Sequence, residues 1–500
     1  MIALTPEEAG RALGLAPLST AVTGVSVDSR TIEPGDLFVA LRGERFDGHD
    51  FVEAALTAGG ASGAVVEKPA WALRGGSARC RRQGVGPVYE VEDALEAFWS
   101  LARAVRRKSE ATVLAITGSV GKTSTKDLLG AMVGKVRRVV ITPANQNNEV
   151  GVPLTLLAIR PDTEAVIVEM GMRGTGQIAA LARVTEPDVG LITNIHPVHL
   201  ELLGTLEGIA QAKAELLFGL KPGGTAVIPV ECASLRPHAS AAACRTVYFG
   251  VGRDGTAADV QGRIEPHEGV GGYLLTVRWP QGEAEIETPF IPRHSLENVI
   301  AAAAACYAAG LPVAECLAGV REVQVTSGRG EVVRLPGLRL INDTYNASPA
   351  AVGAAVDELV RVAAELGARP VAVLGDMLEL GPHEDRFHRE AGERAAQAGV
   401  RVLWGVGPLS RSTVDGFDSA WRELAGKGGE WAAGHVGSAE ETCSVMDGLR
   451  PGDVVLFKAS RSMRLETMVA KVIDEAEAGR WSSESSPSRT EPDEPPEHRR

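Results

Sequence analysis

The chain has 500 residues, 44% of them apolar and 23% charged, with a formal net charge of -13. Cores for about three domains can be built from that content, so a wholly disordered chain is excluded; the acidic balance argues against a nucleic-acid partner and leaves any anionic ligand to local cradles. The six cysteines form no Cys-x-x-Cys pair or metal spacing, and the opening residues MIALTPEE lack the basic and apolar regions of a signal peptide, so free thiols and a cytoplasmic location are expected.

Residues 1–108 read as a small mixed α/β domain. Apolar runs alternate with turns at 24–30 (GVSVDSR) and 36–43 (DLFVALRG), and GHDF at 48–51 precedes a predicted helix over 52–58 and a strand over 63–66. Ser29, Arg30 and His49 read either as turn and cap residues or as substrate contacts. Leu95, Phe98, Trp99 and Ala102 give a helix face leading to the basic Arg106, Arg107 and Lys108, where the first domain is expected to end.

Residues 109–325 repeat strand and helix, with apolar strands predicted at 111–117, 139–141, 165–169, 189–193 and 226–229. This pattern predicts a doubly wound, mainly parallel sheet with its ligand at the carboxyl ends of the strands. Between the first strand and its helix lies TGSVGKTS at 117–124, a variant P-loop in which Ile116 holds the place of the first Walker glycine. Loop N–H groups and the helix N-terminus attract phosphate, Lys122 can reach terminal phosphates, and the Thr123 hydroxyl can ligate magnesium.

Glu169 ends the third of these strands, either as a magnesium ligand or as a mere strand cap. His196 and His199 follow the fourth. Leu206, Ile209, Lys213, Leu216 and Leu220 share one helical stripe. On spacing alone, Lys213 pairs with Glu215, snorkels outward, or loses its proton and takes up carbon dioxide as a carbamate. A hairpin region is predicted from 259 to 289 and a helix over 296–309; the uncharged run 298–314 is too short to cross a bilayer.

A third domain, 326–480, is predicted as a second open α/β, Rossmann-like sheet. It opens with TSGRGE at 326–331 and continues with NDTYNASP at 342–349 and further strand and helix pairs. From 481 to 500 the chain is rich in Ser, Pro and Glu and is expected to be a disordered tail.

Together these motifs resemble the ATP-dependent Mur ligases of peptidoglycan precursor synthesis, over roughly residues 20–475. The resemblance implies that Gly118, Ser119, Val120, Gly121, Lys122, Thr123 and Ser124 hold ATP, with Asn298 at the adenine. Thr123, Glu169, His199 and a carbamylated Lys213 would bind magnesium. Arg329 would reach the γ-phosphate as the third domain closes on ATP, with Asp343 and Tyr345 at the ribose and adenine. The catalytic set is then Lys122, Glu169, His199, Lys213 and Arg329.

Ser29, Arg30 and His49 would meet the UDP end of the substrate, and Asn148, in NNEVGVP at 147–153, lies in a further substrate stretch. GDMLELG at 375–381, with Asp376 and Glu379, and KASRSMRLE at 458–466, with Lys458, Ser460 and Arg461, point to the branch that adds a dipeptide; no Asp-Asn-Pro of the diamino-acid-adding sister occurs. The implied reaction joins D-alanyl-D-alanine to UDP-N-acetylmuramoyl-tripeptide through an acyl phosphate, in a cytoplasmic monomer. Ser348, Ala351, Pro292 and Ala459 depart from the family's usual asparagine, serine, glycine and glycine. A sister ligase, a folate polyglutamate ligase and a non-catalytic nucleotide-gated binding protein are the competing readings, separable by acceptor profiling, UDP-sugar binding and phosphate release.

Overall fold

The computed structural model describes residues 1–43, 46–74, 86–197, 200–252, 257–267, 272–289, 293–323, 328–424 and 430–482. It divides into two compact units, one running to residue 324 and one from 325. The first unit holds two sheets. Strands β1 (Val25–Ser26), β2 (Leu37–Val39), β3 (Gly63–Glu67) and β4 (Val88–Val91) pair in that order, all parallel.

The larger sheet contains β5 (Thr112–Thr117), β6 (Val139–Ile141), β7 (Ala165–Glu169), β8 (Val189–Ile192), β9 (Thr225–Pro229), β10 (Arg245–Val251), β11 (Val260–His267), β12 (Gly272–Trp279) and β13 (Gly282–Pro289). Its order is β13-β12-β11-β10-β9-β8-β5-β7-β6. Pairing is parallel from β6 to β11 and antiparallel between β11 and β12. The innermost strands are buried on both faces, which is why they read as unbroken apolar runs rather than as alternating ones. The chain leaves β5 toward β6 and β8 toward β9, so the direction of winding reverses between the neighbours β5 and β8. A crevice opens at such a reversal, at the carboxyl ends of the strands.

The helix Ala94–Lys108 does not end in a free boundary. Phe98, Leu101 and Val105 share one core with Leu4 and Leu13 and with Val113, Val166 and Ile228 of the large sheet. Arg106, in the basic run at the end of this helix, is only 4% exposed. Its Nε donates to the Thr185 carbonyl (3.0 Å), and its Nη2 to the Glu186 carbonyl (3.0 Å) and Asp188 Oδ2 (2.9 Å). The same carboxylate oxygen accepts the Val113 N–H at 2.8 Å, so one buried ion pair ties the helix to the starts of β5 and β8.

The second unit carries β14 (Glu331–Leu335), β15 (Leu338–Asp343), β16 (Pro370–Gly375), β17 (Val402–Val406), β18 (Ala432–Val436) and β19 (Val454–Lys458). Their order is β14-β15-β19-β16-β17-β18, parallel except for the β14–β15 hairpin. Of the stretch expected to be a tail, residues 481 and 482 are described and the rest lies outside the described residues. Trp481 is 3% exposed and packs in the core with Leu338 and Val472, because a large indole beside an apolar cleft is worth more buried than solvated. No helix among the described residues is long and apolar enough to cross a membrane.

Removing Arg106 would take the guanidinium from the Thr185 and Glu186 carbonyls and from the Asp188 carboxylate, which would keep only the Val113 N–H and Lys221. Arg106→Ala is therefore expected to cost about 3–5 kcal/mol in denaturant unfolding, whereas Arg107→Ala, at an exposed ion pair with Glu186, stays within about 1 kcal/mol. Equal losses for the two variants would remove Arg106 from its place as the tie.

Candidate active site at the head of the central sheet

The phosphate loop leaves β5 at Thr117 and is pinned by the segment that leaves β8. Ser119 N donates to the Asn194 carbonyl (3.1 Å), Val120 N to Asn194 Oδ1 (2.9 Å), and Thr193 Oγ1 and Asn194 Nδ2 both donate to the Val120 carbonyl. The Ser119 hydroxyl donates to the His196 carbonyl and accepts the His196 N–H. Gly121, at φ +83°, starts the helix Lys122–Gly134 in the left-handed region. A Cβ there would come within 2.5 Å of Asn298 Oδ1, so only glycine lets the helix Arg293–Ala308 approach the loop. Asn298 thus lies against the phosphate loop itself.

Lys122 Nζ donates to the carbonyls of Gly118 (2.8 Å) and Ser119 (3.1 Å). One residue further, Thr123 Oγ1 donates to Oε1 of Glu169 at 3.1 Å. Glu169, at the end of β7, is 1% exposed. Its Oε1 takes a second hydrogen bond from Asn147 Nδ2 at 2.7 Å, while its Oε2 is buried without a protein donor among the described residues. A buried carboxylate oxygen left in that condition suits a cation, since burial without a partner costs free energy.

Lys213, on the helix Leu206–Phe218, is 1% exposed and does not snorkel. Nor does it pair with Glu215, whose carboxylate instead accepts the N–H groups of Gly176 and Ala179 at the start of the helix Gln177–Thr185. Burial pushes its ammonium well below the ordinary lysine range, and the charge of Lys122 pushes the same way. The apolar stripe begins at Ile209, for Leu206 in the first turn is half exposed. His199 lies outside the described residues, among which no group of three acidic, His or Cys side chains forms a metal cluster.

The two asparagines of the NNE stretch have different surroundings. Asn148 is exposed, and its Oδ1 accepts the N–H groups of Val150 and Gly151 at the start of the helix Gly151–Leu157. Asn147 is the one that reaches Glu169. Its backbone carbonyl also accepts the Gly171 N–H at 2.8 Å, and a Cβ on Gly171 would strike its side chain at 2.6 Å. Sequence reasoning did not single out Thr193, Asn194 or Lys126; for the first two the only signal was their place at and just after the end of a predicted strand.

In the small sheet's region, His49 is buried with both ring nitrogens engaged. Nδ1 meets Asp47 Oδ1 at 2.6 Å and Nε2 accepts the Glu67 N–H at 2.9 Å. That geometry makes it a frame residue rather than a contact. Arg30 is exposed and clasps Asp28, whose carboxyl it holds at about 2. Ser29 is half-buried beside it.

The second unit brings its residues to the carboxyl ends of its own strands. Asp343 and Lys458 stand opposite each other on the parallel pair β15 and β19, and Lys458 Nζ donates to Asp343 Oδ2 (2.6 Å) and to the Asn346 carbonyl (2.9 Å). Asp376 is buried and accepts the Ser410 N–H at 2.7 Å; burial raises its pKa, while N–H groups of Ser410 and Leu409 oppose the rise. The Ser460 hydroxyl accepts the Leu378 N–H at 2.9 Å. Arg329 stacks on Tyr345 with its Cζ 3.7 Å from the ring centroid, and Arg461 lies 5.6 Å from the same ring. Glu379 is exposed in the left-handed region at φ +63°.

Three family models cover most of the chain. Residues 21–106 match the Mur ligase family catalytic domain, 116–306 the Mur ligase middle domain, and 328–461 the Mur ligase glutamate ligase domain. A UDP-N-acetylmuramoyl-tripeptide--D-alanyl-D-alanine ligase of Bacillus subtilis (strain 168) is 34% identical over 463 residues, 91% of this chain and 94% of the relative. One of the same name from Escherichia coli (strain K12) is 34% identical over 78% of this chain and 83% of its own length. Among solved structures, MurF from Acinetobacter baumannii superposes with TM-score 0.80 at 27% identity, covering 94% of this chain and 99% of that one. MurF ligase from Thermotoga maritima in complex with ADP gives 0.75 at 26% identity, covering 91% and 98%. With its three matched domains and this near full-length identity, the chain belongs to the Mur ligase family.

Proposed function

We propose that this chain is an ATP-dependent amide-forming ligase that joins D-alanyl-D-alanine to UDP-N-acetylmuramoyl-tripeptide, releasing ADP and phosphate. The observation that carries the chemistry is a phosphate loop whose first helical turn touches a buried carboxylate with one oxygen unmet. Relatives of that name, 34% identical over nearly the whole chain, supply the substrates.

A substrate carboxylate that attacks the γ-phosphate of ATP approaches like charge, so the site must hold positive charge and exclude water from the acyl phosphate that forms. Lys122, released from the Gly118 and Ser119 carbonyls, would meet the terminal phosphates. Glu169 Oε2, Thr123 and His199 are the residues proposed to hold magnesium, which when bound offsets phosphate charge and orients its oxygens. Arg329, Asp343, Tyr345 and Asn298 are proposed as further nucleotide contacts. The amine of the dipeptide would then attack the acyl carbon, forming the amide and expelling phosphate. Of the residues proposed for the dipeptide, Asp376, Lys458 and Ser460 are buried and engaged within the fold, so they frame the place that the exposed Glu379 and Arg461 would contact. Arg30 and Ser29 would serve the UDP end, positioned by His49. A cytoplasmic location is part of the proposal, in keeping with free thiols at all five described cysteines.

Lys122→Ala is expected to lower turnover by about a hundredfold or more, since electrostatic losses at such sites are of that order, while UDP-tripeptide affinity stays near normal. Coupled ADP release with a panel of UDP-tripeptides and dipeptides measures it. Turnover that needs no dipeptide, or that survives the substitution, would reject the proposal.

Lys213 is proposed to become carbamylated: its neutral amine adds to carbon dioxide, forming an N–C bond and giving up a proton to solvent. In labelled bicarbonate, carbon-13 NMR of the folded protein should show a carbamate signal that Lys213→Ala removes; its persistence would exclude this lysine as the source. The buried amine also predicts a pH effect in buffer free of carbon dioxide. Because the folded pKa lies below the unfolded one, the unfolded chain binds the extra proton, and the cost to stability grows as pH falls below the ordinary lysine range. Lys213→Met should therefore raise the thermal midpoint near neutral pH, with the gain shrinking toward pH ~10.

A further inference from the structure

Lys126 sits on the helix Lys122–Gly134, three residues beyond Thr123, and is 2% exposed. A lysine so placed must have its ammonium satisfied or surrender the proton. Its Nζ donates to the carbonyls of Ala144 (2.8 Å) and Thr142 (3.1 Å) and lies 3.0 Å from the Asp127 carboxylate. Both carbonyls belong to the turn that leaves β6. That turn holds Ala144 at φ +45°, a left-handed conformation that an alanine avoids unless its surroundings impose it.

From the turn the chain runs directly to Asn147, which donates to Oε1 of Glu169. Thr142 adds a second link, for its hydroxyl accepts the Glu169 N–H at 3.1 Å. Thr123, on the same helix as Lys126, donates to the same Oε1. The contacts close a ring that runs from the helix through Lys126, the turn, Asn147 and Glu169 back through Thr123. Both side-chain donors to the Glu169 carboxylate, Thr123 and Asn147, fall on Oε1, and Oε2 is the oxygen left over.

We propose that Lys126 is a positioning residue for this carboxylate: by clamping the turn it sets Asn147 on Oε1 and so keeps Oε2 available to a divalent cation. This rests on the reading of Glu169 as a magnesium ligand. A lysine that merely satisfied two buried carbonyls would contribute to stability and leave metal dependence alone, which separates the two roles.

The test is isothermal titration of ADP into the full chain, once with magnesium and once with chelator. Outer partners of metal ligands typically account for about 10–100-fold in metal affinity. Lys126→Met is expected to lose at least about tenfold in ADP affinity with magnesium while staying within about twofold without it. Because Lys126 acts through Asn147, adding Asn147→Ala to Lys126→Met should weaken the magnesium titration no further than Asn147→Ala alone, a non-additivity that independent sites do not show. Should Lys126→Met fail to fold, Lys126→Gln, which keeps one donor, carries the same comparison. Unchanged affinity, a parallel fall in both titrations, or additive losses would overturn the positioning role. Wild-type protein that binds ADP equally with and without magnesium would instead overturn the magnesium reading, and the proposal with it.

Discussion

The head of the central sheet depends on an unequal division within one carboxylate. Oε1 of Glu169 receives hydrogen bonds from Thr123 and Asn147, and Oε2 receives none among the described residues. A buried acceptor left unmet costs free energy, so a fold retains one only where neighbouring contacts over-determine it. Here the supports come from the phosphate-loop helix, the turn after β6 and the backbone after β7, three elements that converge because β5, β7 and β6 are adjacent parallel strands. The carboxylate could not be moved without disturbing the loop that cradles phosphate. The proposed nucleotide and cation sites are therefore mechanically one site.

Much of this was legible in the sequence because its signals are local. Strand β7 runs over the residues the apolar run marked, Ala165 to Glu169, and β6 likewise over Val139 to Ile141. The phosphate loop could be read because glycine spacing, a lysine and a hydroxyl all fall within a few residues. Long-range pairings carry no such mark. Arg106 looked like one of three basic residues at a helix end, and only the fold shows that its neighbour Arg107 faces solvent while it faces the carbonyls of Thr185 and Glu186. Asn147 and Asn148 are chemically identical, and no periodicity announces that the first of them reaches Glu169. Lys126 was passed over for a related reason: a lysine in a helix is ordinarily a solvated charge, and its partners lie 16 and 18 residues away.

In the second unit, motif residues divide into frame and contact according to burial. Lys458 spends its charge on Asp343 and the Asn346 carbonyl, which fixes the turn that carries Tyr345. Asp376 spends its carboxylate on the start of the helix Ser410–Leu424, whose N–H groups would otherwise be unmet. A motif match cannot tell these roles apart, because a residue that holds a loop in place and one that touches the ligand on that loop are equally fixed in the pattern. Replacing a frame residue breaks a buried pair and is felt through the whole turn; replacing an exposed one such as Arg461, whose ion pair with Glu466 lies at the surface, disturbs the fold little.

The same accounting explains why the Lys213 ammonium is pushed well below the ordinary lysine range, by burial first and by the charge of Lys122 second. Two ammonium groups close enough to feel each other in an apolar setting cannot both keep their charge cheaply, and the one with better hydrogen-bond acceptors keeps it. Lys122 has the Gly118 and Ser119 carbonyls, whereas Lys213 has none among the described residues and is packed on its helix between Ile209 and Leu216. The charge of Lys122, proposed to meet phosphate, thus helps to lower the proton affinity of Lys213, the amine proposed to take up carbon dioxide. Converting that amine to a carbamate would place beside Lys122 an anion that attracts its ammonium.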